Sequence, residues 1–278
     1  MSALPAFKLP ERGFKMDKRA KEIRTNIIKV SASSGHGHIP TSFSIVDAMC
    51  AVYNTMNHDP KNPKKADRDI FILSKGHASL GLYCTLSAYG YFPIEEVYGF
   101  GKYDQKFGCH PDRLKVPGAE ASTGSLGHGI SLAAGMALGM KIKGETRRRA
   151  YTLIGDGESN EGTVWETIMV AVHRKLDNLT VIFDANNSQI RCMPVDNAAA
   201  RFAAFGCDVH EVDGHDIPAM EKALRAPAKS VKVLVAHTVK GYGCKTLHEG
   251  TGMFEWHRRS PKPEERDMLL GELDAYSV

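Results

Sequence analysis

No two of the six cysteines (50, 84, 109, 192, 207 and 244) stand in a C-x-x-C spacing, which argues against a zinc ribbon or a dithiol redox motif. Scattered thiols of this kind fit a reducing compartment, so a cytoplasmic location is expected. The opening, MSALPAFKLPERGFKMDKRAKEIR, lacks the apolar stretch of a secretory signal. No apolar run approaches the roughly 18 residues of a membrane-spanning helix. Mean hydropathy is −0.28, so no membrane partner is expected. A strong excess of one charge is also missing. Lys and Arg number 36 against 32 Asp and Glu, and a net charge of +4 makes no case for nucleic acid. What remains is a chain of 278 residues with 42% hydrophobic content, enough to bury one large α/β core.

Pro5 and Pro10 break any helix near the start, so residues 1–15 read as an extended arm. Neither a repeat nor a linker interrupts the remainder, and 16–278 reads as a single domain. DIFILS (69–74), AYTLI (150–154), TVIFD (180–184), CDVHEV (207–212) and SVKVLVAHTV (230–239) read as strands. Helical patterns lie between them: from Asp17, after Ser42, from His77 to Tyr89, over 129–141, over about 158–175, and after Asp216. Asp216 suits an N-cap and Pro218 a first turn. Alternating strands and helices predict an α/β fold, a mostly parallel sheet with helices on both faces. Residues 99–130 are irregular, rich in Gly and Pro, and too long for an idle connection, which suggests a binding loop.

The segment 150–190 is a complete β-α-β unit. Its right-handed crossover puts the two strands parallel, with both carboxyl ends at the sheet edge where open α/β sheets bind ligands. Asp156 leaves the first strand and Asn186 the second, so two oxygen ligands should converge, while Gly155 and Gly157 let the backbone turn beside them. Such hard oxygens suit Mg²⁺ or Ca²⁺ completed by ligand phosphates. The run STGSLGHG (122–129) precedes a helix of small residues, and its backbone N–H groups would favour a phosphate. His36, His38, His77, His110 and His257 lie in loops, where imidazoles can exchange hydrogen bonds with hydroxyls and move protons. Glu161 stands four before Trp165, which predicts a carboxylate on the buried face of its helix, in need of a partner.

A GDG followed after some thirty residues by NN resembles the thiamine diphosphate enzymes. The wider likeness is to the amino-terminal half of the transketolase family. It is carried by SSGHGHIPTSFSIVDAM, DRDIFILSKGHA, GCHPDR, PGAEASTGSLGHGISLAAGMALGMK, GDGESNEGTVWE, LDNLTVIFDANNSQ, VDGHD and WHRRSP, in that order. The resemblance implies a thiamine diphosphate-binding fold with Mg²⁺ (or Ca²⁺) held by Asp156, Asn186 and the Ser188 carbonyl. It implies cofactor contacts from Gly124, Ser125, Leu126, Gly155, Asp156, Gly157, Glu158, Asn186, His77 and His257. It puts His77 and His257 against the diphosphate or the reacting carbon, as catalytic residues, and assigns His110 to the substrate's first hydroxyl and His36 with His257 to the third. Glu161 would reach a subunit interface and serve proton traffic.

The cofactor-activating glutamate of that family lies on a pyrimidine-binding domain for which this chain shows no sequence. The expectation is therefore the amino-terminal subunit of a split transketolase. It would pair with a separate carboxy-terminal subunit, in an α2β2 assembly, and transfer a two-carbon ketol unit between sugar phosphates. His38, His128 and Arg191–Cys192 depart from the family pattern. They leave room for a modified sugar, or for delivery of a glycolyl unit to a carrier-bound thiol. A non-catalytic scaffold subunit is the alternative of another class.

Overall fold

The computed structural model describes residues 15–278. The arm expected over 1–15 lies outside the described residues except for Lys15, which bridges to Ser277. Five strands form one sheet: β1 (Ile70–Leu73), β2 (Ala150–Gly155), β3 (Leu179–Ala185), β4 (Asp208–Asp213) and β5 (Lys232–His237). Their order is β1-β2-β3-β5-β4 and every pairing is parallel.

The central strands are apolar on both sides because both faces are covered. Phe71, Leu73, Tyr151, Leu153, Ile182 and Leu234 point into one core with the helices Lys18–Ser34, Val46–Thr55 and Ser79–Ala88. Ile70, Ile72, Ile154, Val181, Phe183, Val233 and Val235 point into the other, against the helices His128–Ile142 and Gly162–His173. The strict alternation of neighbours between the two cores is the period of a strand.

Helix ends follow local chemistry. The Asp17 carboxylate accepts the Ala20 N–H at 3.0 Å, starting Lys18–Ser34. Asp216 accepts the Ala219 N–H at 3.0 Å, with Pro218 in the first turn of Ile217–Arg225, as the sequence predicts. Each such cap is worth about 1 kcal/mol. The small-residue stretch is helical over His128–Ile142, and residues 99–127 carry no longer element than a turn. No helix among the described residues is long and apolar enough to cross a membrane.

Candidate functional site

Asp156 and Asn186 leave the carboxyl ends of β2 and β3, which pair in register up to Gly155 opposite Asp184. The two side chains face one another across Ser188. Its hydroxyl donates to Asp156 Oδ1 at 2.6 Å, and its backbone N–H donates to Asn186 Oδ1 at 3.0 Å. Asp156 Oδ2 accepts the Gln189 N–H at 3.1 Å. Asn186 is oriented from behind, its amide donating to Asp184 Oδ2 at 2.6 Å and to Ser44 Oγ at 3.3 Å.

These groups open on a cavity of about 300 Å³. Leu126, Gly155, Asp156, Gly157, Glu158, Asn186, Ser188, His77 and His257 all line it, as do Thr41, Lys75, Gln189, Lys240 and Phe254. Of the remaining expected residues, Gly124 and Ser125 lie outside this lining, and Gly124 packs beside the loop that bears His77. A Cβ on Gly76 would meet the Thr123 carbonyl at 2.6 Å and Gly124 N at 2.8 Å, so only glycine lets the loop bearing His77 approach the 123–124 backbone.

One expectation about anionic groups is corrected, and part of the run 122–129 is already engaged within the protein. The Glu158 carboxylate accepts from Gly127 N at 2.9 Å, and Ser74 Oγ accepts from Ile130 N at 3.1 Å. Glu158 also accepts from Ser74 Oγ and from Gly155 N. Burial pushes its carboxyl up while those donors hold it down. An acidic side chain at a helix N-terminus is favoured by the dipole and by the unpaired N–H groups, and Glu158 takes up one of them, that of Gly127. The buried carboxylate of this unit is thus Glu158, not Glu161. Glu161 is exposed and occupies the N-cap position, with ψ at 127°, so it precedes the helix Gly162–His173 and helical spacing to Trp165 does not apply to it.

A second correction concerns the histidines. His38, His77 and His257 form one cluster, with ring centroids 5.3 Å apart for His38–His77, 5.2 Å for His38–His257 and 6.0 Å for His77–His257. His36, expected beside His257, instead lies exposed with its ring against Gly101. Gly37 between them has φ +134°, which turns the chain so that the two imidazoles part. His110 is exposed and its ring lies beside Gly124 rather than in the cavity. Burial lowers all three clustered imidazoles: His77 to about 2, aided by the Lys75 charge; His38 to about 4, aided by Arg258; and His257 to about 4, aided by Lys240. They are neutral near pH 7, each with one donor and one acceptor nitrogen. His257 Nδ1 is buried with no hydrogen-bond partner among the described residues.

Two lysines and an aspartate were missed in the sequence. Lys75 Nζ donates to Asp184 Oδ2 at 2.5 Å and to Thr41 Oγ1 at 3.2 Å. Thr41 Oγ1 in turn lies 3.5 Å from His77 Nε2. Asp184 also accepts from Ser44 Oγ and Thr238 Oγ1, so it ties together four segments. Lys240 is 4% exposed, and neither a hydrogen bond nor an ion pair satisfies its ammonium among the described residues. Burial, then the neighbouring Lys75, lowers it to about 8. The available signals were charged residues where the pattern is otherwise apolar: the Asp ending TVIFD and the Lys opening KGHA.

The arrangement fits a diphosphate with a divalent ion. Two oxygen side chains converge, an unpartnered ammonium and an unpartnered imidazole nitrogen share their cavity, and no Cys is present to favour a soft metal.

Residues 16–255 match the family described as transketolase, thiamine diphosphate binding domain. The chain belongs to this family. It is 38% identical over 267 residues to an apulose-4-phosphate transketolase subunit of Actinobacillus succinogenes, a match covering 93% of this chain and 95% of that one. It is 36% identical over 245 residues to the 6-deoxy-6-sulfo-D-fructose transketolase subunit SqwG of a Clostridium species, covering 84% and 88%. The solved transketolase of Pichia stipitis in complex with sedoheptulose-7-phosphate superposes with a TM-score of 0.84 at 28% identity. That match covers 94% of this chain but 42% of the other, so this chain spans less than half the length of that transketolase.

Proposed function

We propose that this chain is the cofactor-holding subunit of a two-chain transketolase that moves a two-carbon ketol unit from a ketose phosphate to an aldose phosphate. The observation that carries this reading is the meeting of Asp156 and Asn186 over Ser188, in a cavity shared with Lys240, His77 and His257. Asp156, Asn186 and the Ser188 carbonyl would hold Mg²⁺, and with it the diphosphate. Lys240 and His257 would give the diphosphate its remaining partners, a charge-assisted contact and a neutral N–H. When bound, thiamine diphosphate supplies a nucleophilic carbon able to break and remake the bond beside a ketose carbonyl.

The chain's own residues orient that chemistry. His38, His77 and His257, neutral and close-packed, can accept a proton from a sugar hydroxyl and return it, and can fix the sugar by hydrogen bonds. His77 is linked through Thr41, at 3.5 Å, to the Lys75–Asp184 pair. The exposure of Glu161 leaves it accessible to a partner, as an interface role requires. The relatives matched along nearly their whole length are named as subunits, which supports a separate partner chain; a carboxy-terminal, pyrimidine-binding partner in an α2β2 assembly is the form this reading gives it. Because those relatives are named for apulose-4-phosphate and for a sulfonated fructose, a modified sugar is the second reading for the donor.

The test is to mix the chain with its partner subunit, thiamine diphosphate and Mg²⁺ and to follow glyceraldehyde 3-phosphate release from xylulose 5-phosphate. Apulose 4-phosphate and sulfofructose serve as the alternative donors. Turnover of one of these donors, lost on omitting either chain, is the expected result. Turnover by either chain alone would overturn the two-chain reading.

A further inference from the structure

Behind the cavity, on the side of the helix Val46–Thr55, lies a second polar cluster that none of the expected site residues belongs to. Arg24 is fully buried, and its guanidinium grips Asp47 with two bonds, Nη1 to Oδ1 at 3.1 Å and Nη2 to Oδ2 at 2.6 Å, and donates to the Phe43 carbonyl at 2.8 Å. Burial would raise Asp47, but the Arg24 charge and the His215 hydrogen bond hold it well below the usual carboxylate range. Asp47 Oδ2 lies 2.8 Å from His215 Nδ1. On the far side of the ring, His215 Nε2 accepts the backbone N–H of Val239 at 2.8 Å. The Tyr242 ring stacks on His215 at 3.8 Å, 18° from parallel, and Arg24 lies over the same tyrosine at 5.2 Å.

The bond to Val239 settles the tautomer. A nitrogen that accepts an N–H carries no proton, so Nδ1 bears the hydrogen and donates it to the ionised Asp47. Val239 immediately precedes Lys240, the ammonium in the cavity. The segment is fastened on both sides of that lysine: Thr238 N donates to the Ala185 carbonyl at 3.4 Å and Gly241 N to the Pro40 carbonyl at 3.1 Å. The shorter bond, to His215, is the one made by a buried side chain of fixed tautomer. A buried ion pair is costly to assemble and gains little stability over an apolar core. Its use is better sought in what it orients.

We propose that His215 is a positioning residue for the cofactor pocket: locked by Asp47 and Arg24, it holds the Val239 amide and thereby aims Lys240 at the anion-binding cavity. This rests on the reading of that cavity as a diphosphate site. His215 touches neither the ligand nor the reacting atoms. It fixes a backbone from which a flexible side chain would otherwise lose its direction, and a misplacement of about 1 Å in such a contact can cost on the order of 100-fold in rate.

The discriminating variants are His215→Gln and His215→Asn. A Gln carbonyl can reach the position of Nε2 and accept from Val239. An Asn can satisfy Asp47 but falls short of the amide. Inorganic pyrophosphate with Mg²⁺ is titrated calorimetrically into the full chain, and hydrogen exchange of the Val239 amide is measured without ligand. His215→Asn is expected to weaken pyrophosphate at least about 10-fold, the loss of one charge-assisted contact, and to speed Val239 exchange. His215→Gln is expected to restore both, and the KM for cofactor in the assembled enzyme should rise in His215→Asn with kcat retained at saturation. Equal behaviour of the two variants, or protection of Val239 unchanged in His215→Asn, overturns the proposal. Lys240→Ala is the control: if it leaves pyrophosphate affinity unchanged, the diphosphate reading of Lys240 fails, and the exchange data still decide what His215 does to the backbone.

Discussion

Lys75, on the loop after β1, and Asp184, at the end of β3, form a buried ion pair at 2.5 Å that straddles the end of β2, the strand between them. Side-chain exposures of 2% and 1% leave neither charge to water. Removing one partner strands the other, and such losses cost about 3–5 kcal/mol. Asp184→Ala should therefore lower the denaturant midpoint strongly. Replacing both, as Asp184→Leu with Lys75→Met, should recover the part due to the stranded ammonium, while Ser44, Thr238 and Asn186 still lose their acceptor. A single variant as stable as the parent in urea unfolding would contradict the pair's structural role.

The histidine cluster predicts a pH dependence of stability. In the unfolded chain each imidazole titrates near 6.5, whereas in the fold His38 and His257 titrate at about 4 and His77 at about 2. Between those values the unfolded state binds more protons, so stability falls as pH drops below about 6.5. Urea unfolding at pH 7.5 and pH 5 should show this fall. It should be smaller in His77→Asn, which removes the most strongly lowered imidazole. An identical pH slope in parent and variant would place His77 in water.

His38 and His36 separate cleanly. His38→Ala should reduce turnover by the assembled enzyme by about 100-fold, the scale of a lost general acid–base or orienting group, with no loss of fold by circular dichroism. His36→Ala should stay within about threefold of the parent, as a surface change away from the chemistry. If His36→Ala is the slower of the two, the cluster has been assigned to the wrong imidazole.

Much of this was legible in the sequence, for identifiable reasons. The five strands were readable because apolar β-branched runs broken by Gly, Asp and Asn have few other uses. Asp156 and Asn186 were readable because a right-handed β-α-β crossover fixes where adjacent strand ends emerge. Glu161 was misread because helical spacing was applied one residue before the helix begins. His36 was misread because two histidines flank one glycine, and only the φ of Gly37 decides which imidazole enters the cluster. Lys75, Asp184 and Lys240 were not readable as a group. Their connection runs between strands distant in sequence, and no local pattern encodes it.

Glu161 offers a test at the other side of the unit. Exposed, and with no side-chain hydrogen bond or ion pair among the described residues, it should tolerate Glu161→Ala with a stability change within about 0.5 kcal/mol. The same variant should impair activity once the partner chain is added. Loss of stability in the isolated chain would return Glu161 to a structural role.

The most direct measurement is calorimetric titration of thiamine diphosphate into the chain with Mg²⁺ and with chelator, comparing the parent with Asp156→Ala and Asn186→Ala. Binding that needs the divalent ion in the parent, and is lost in both variants while Lys240→Ala only weakens it, is the result expected of an ion gripped at the ends of β2 and β3. Binding of equal strength with chelator present, or unchanged in Asp156→Ala, would contradict it.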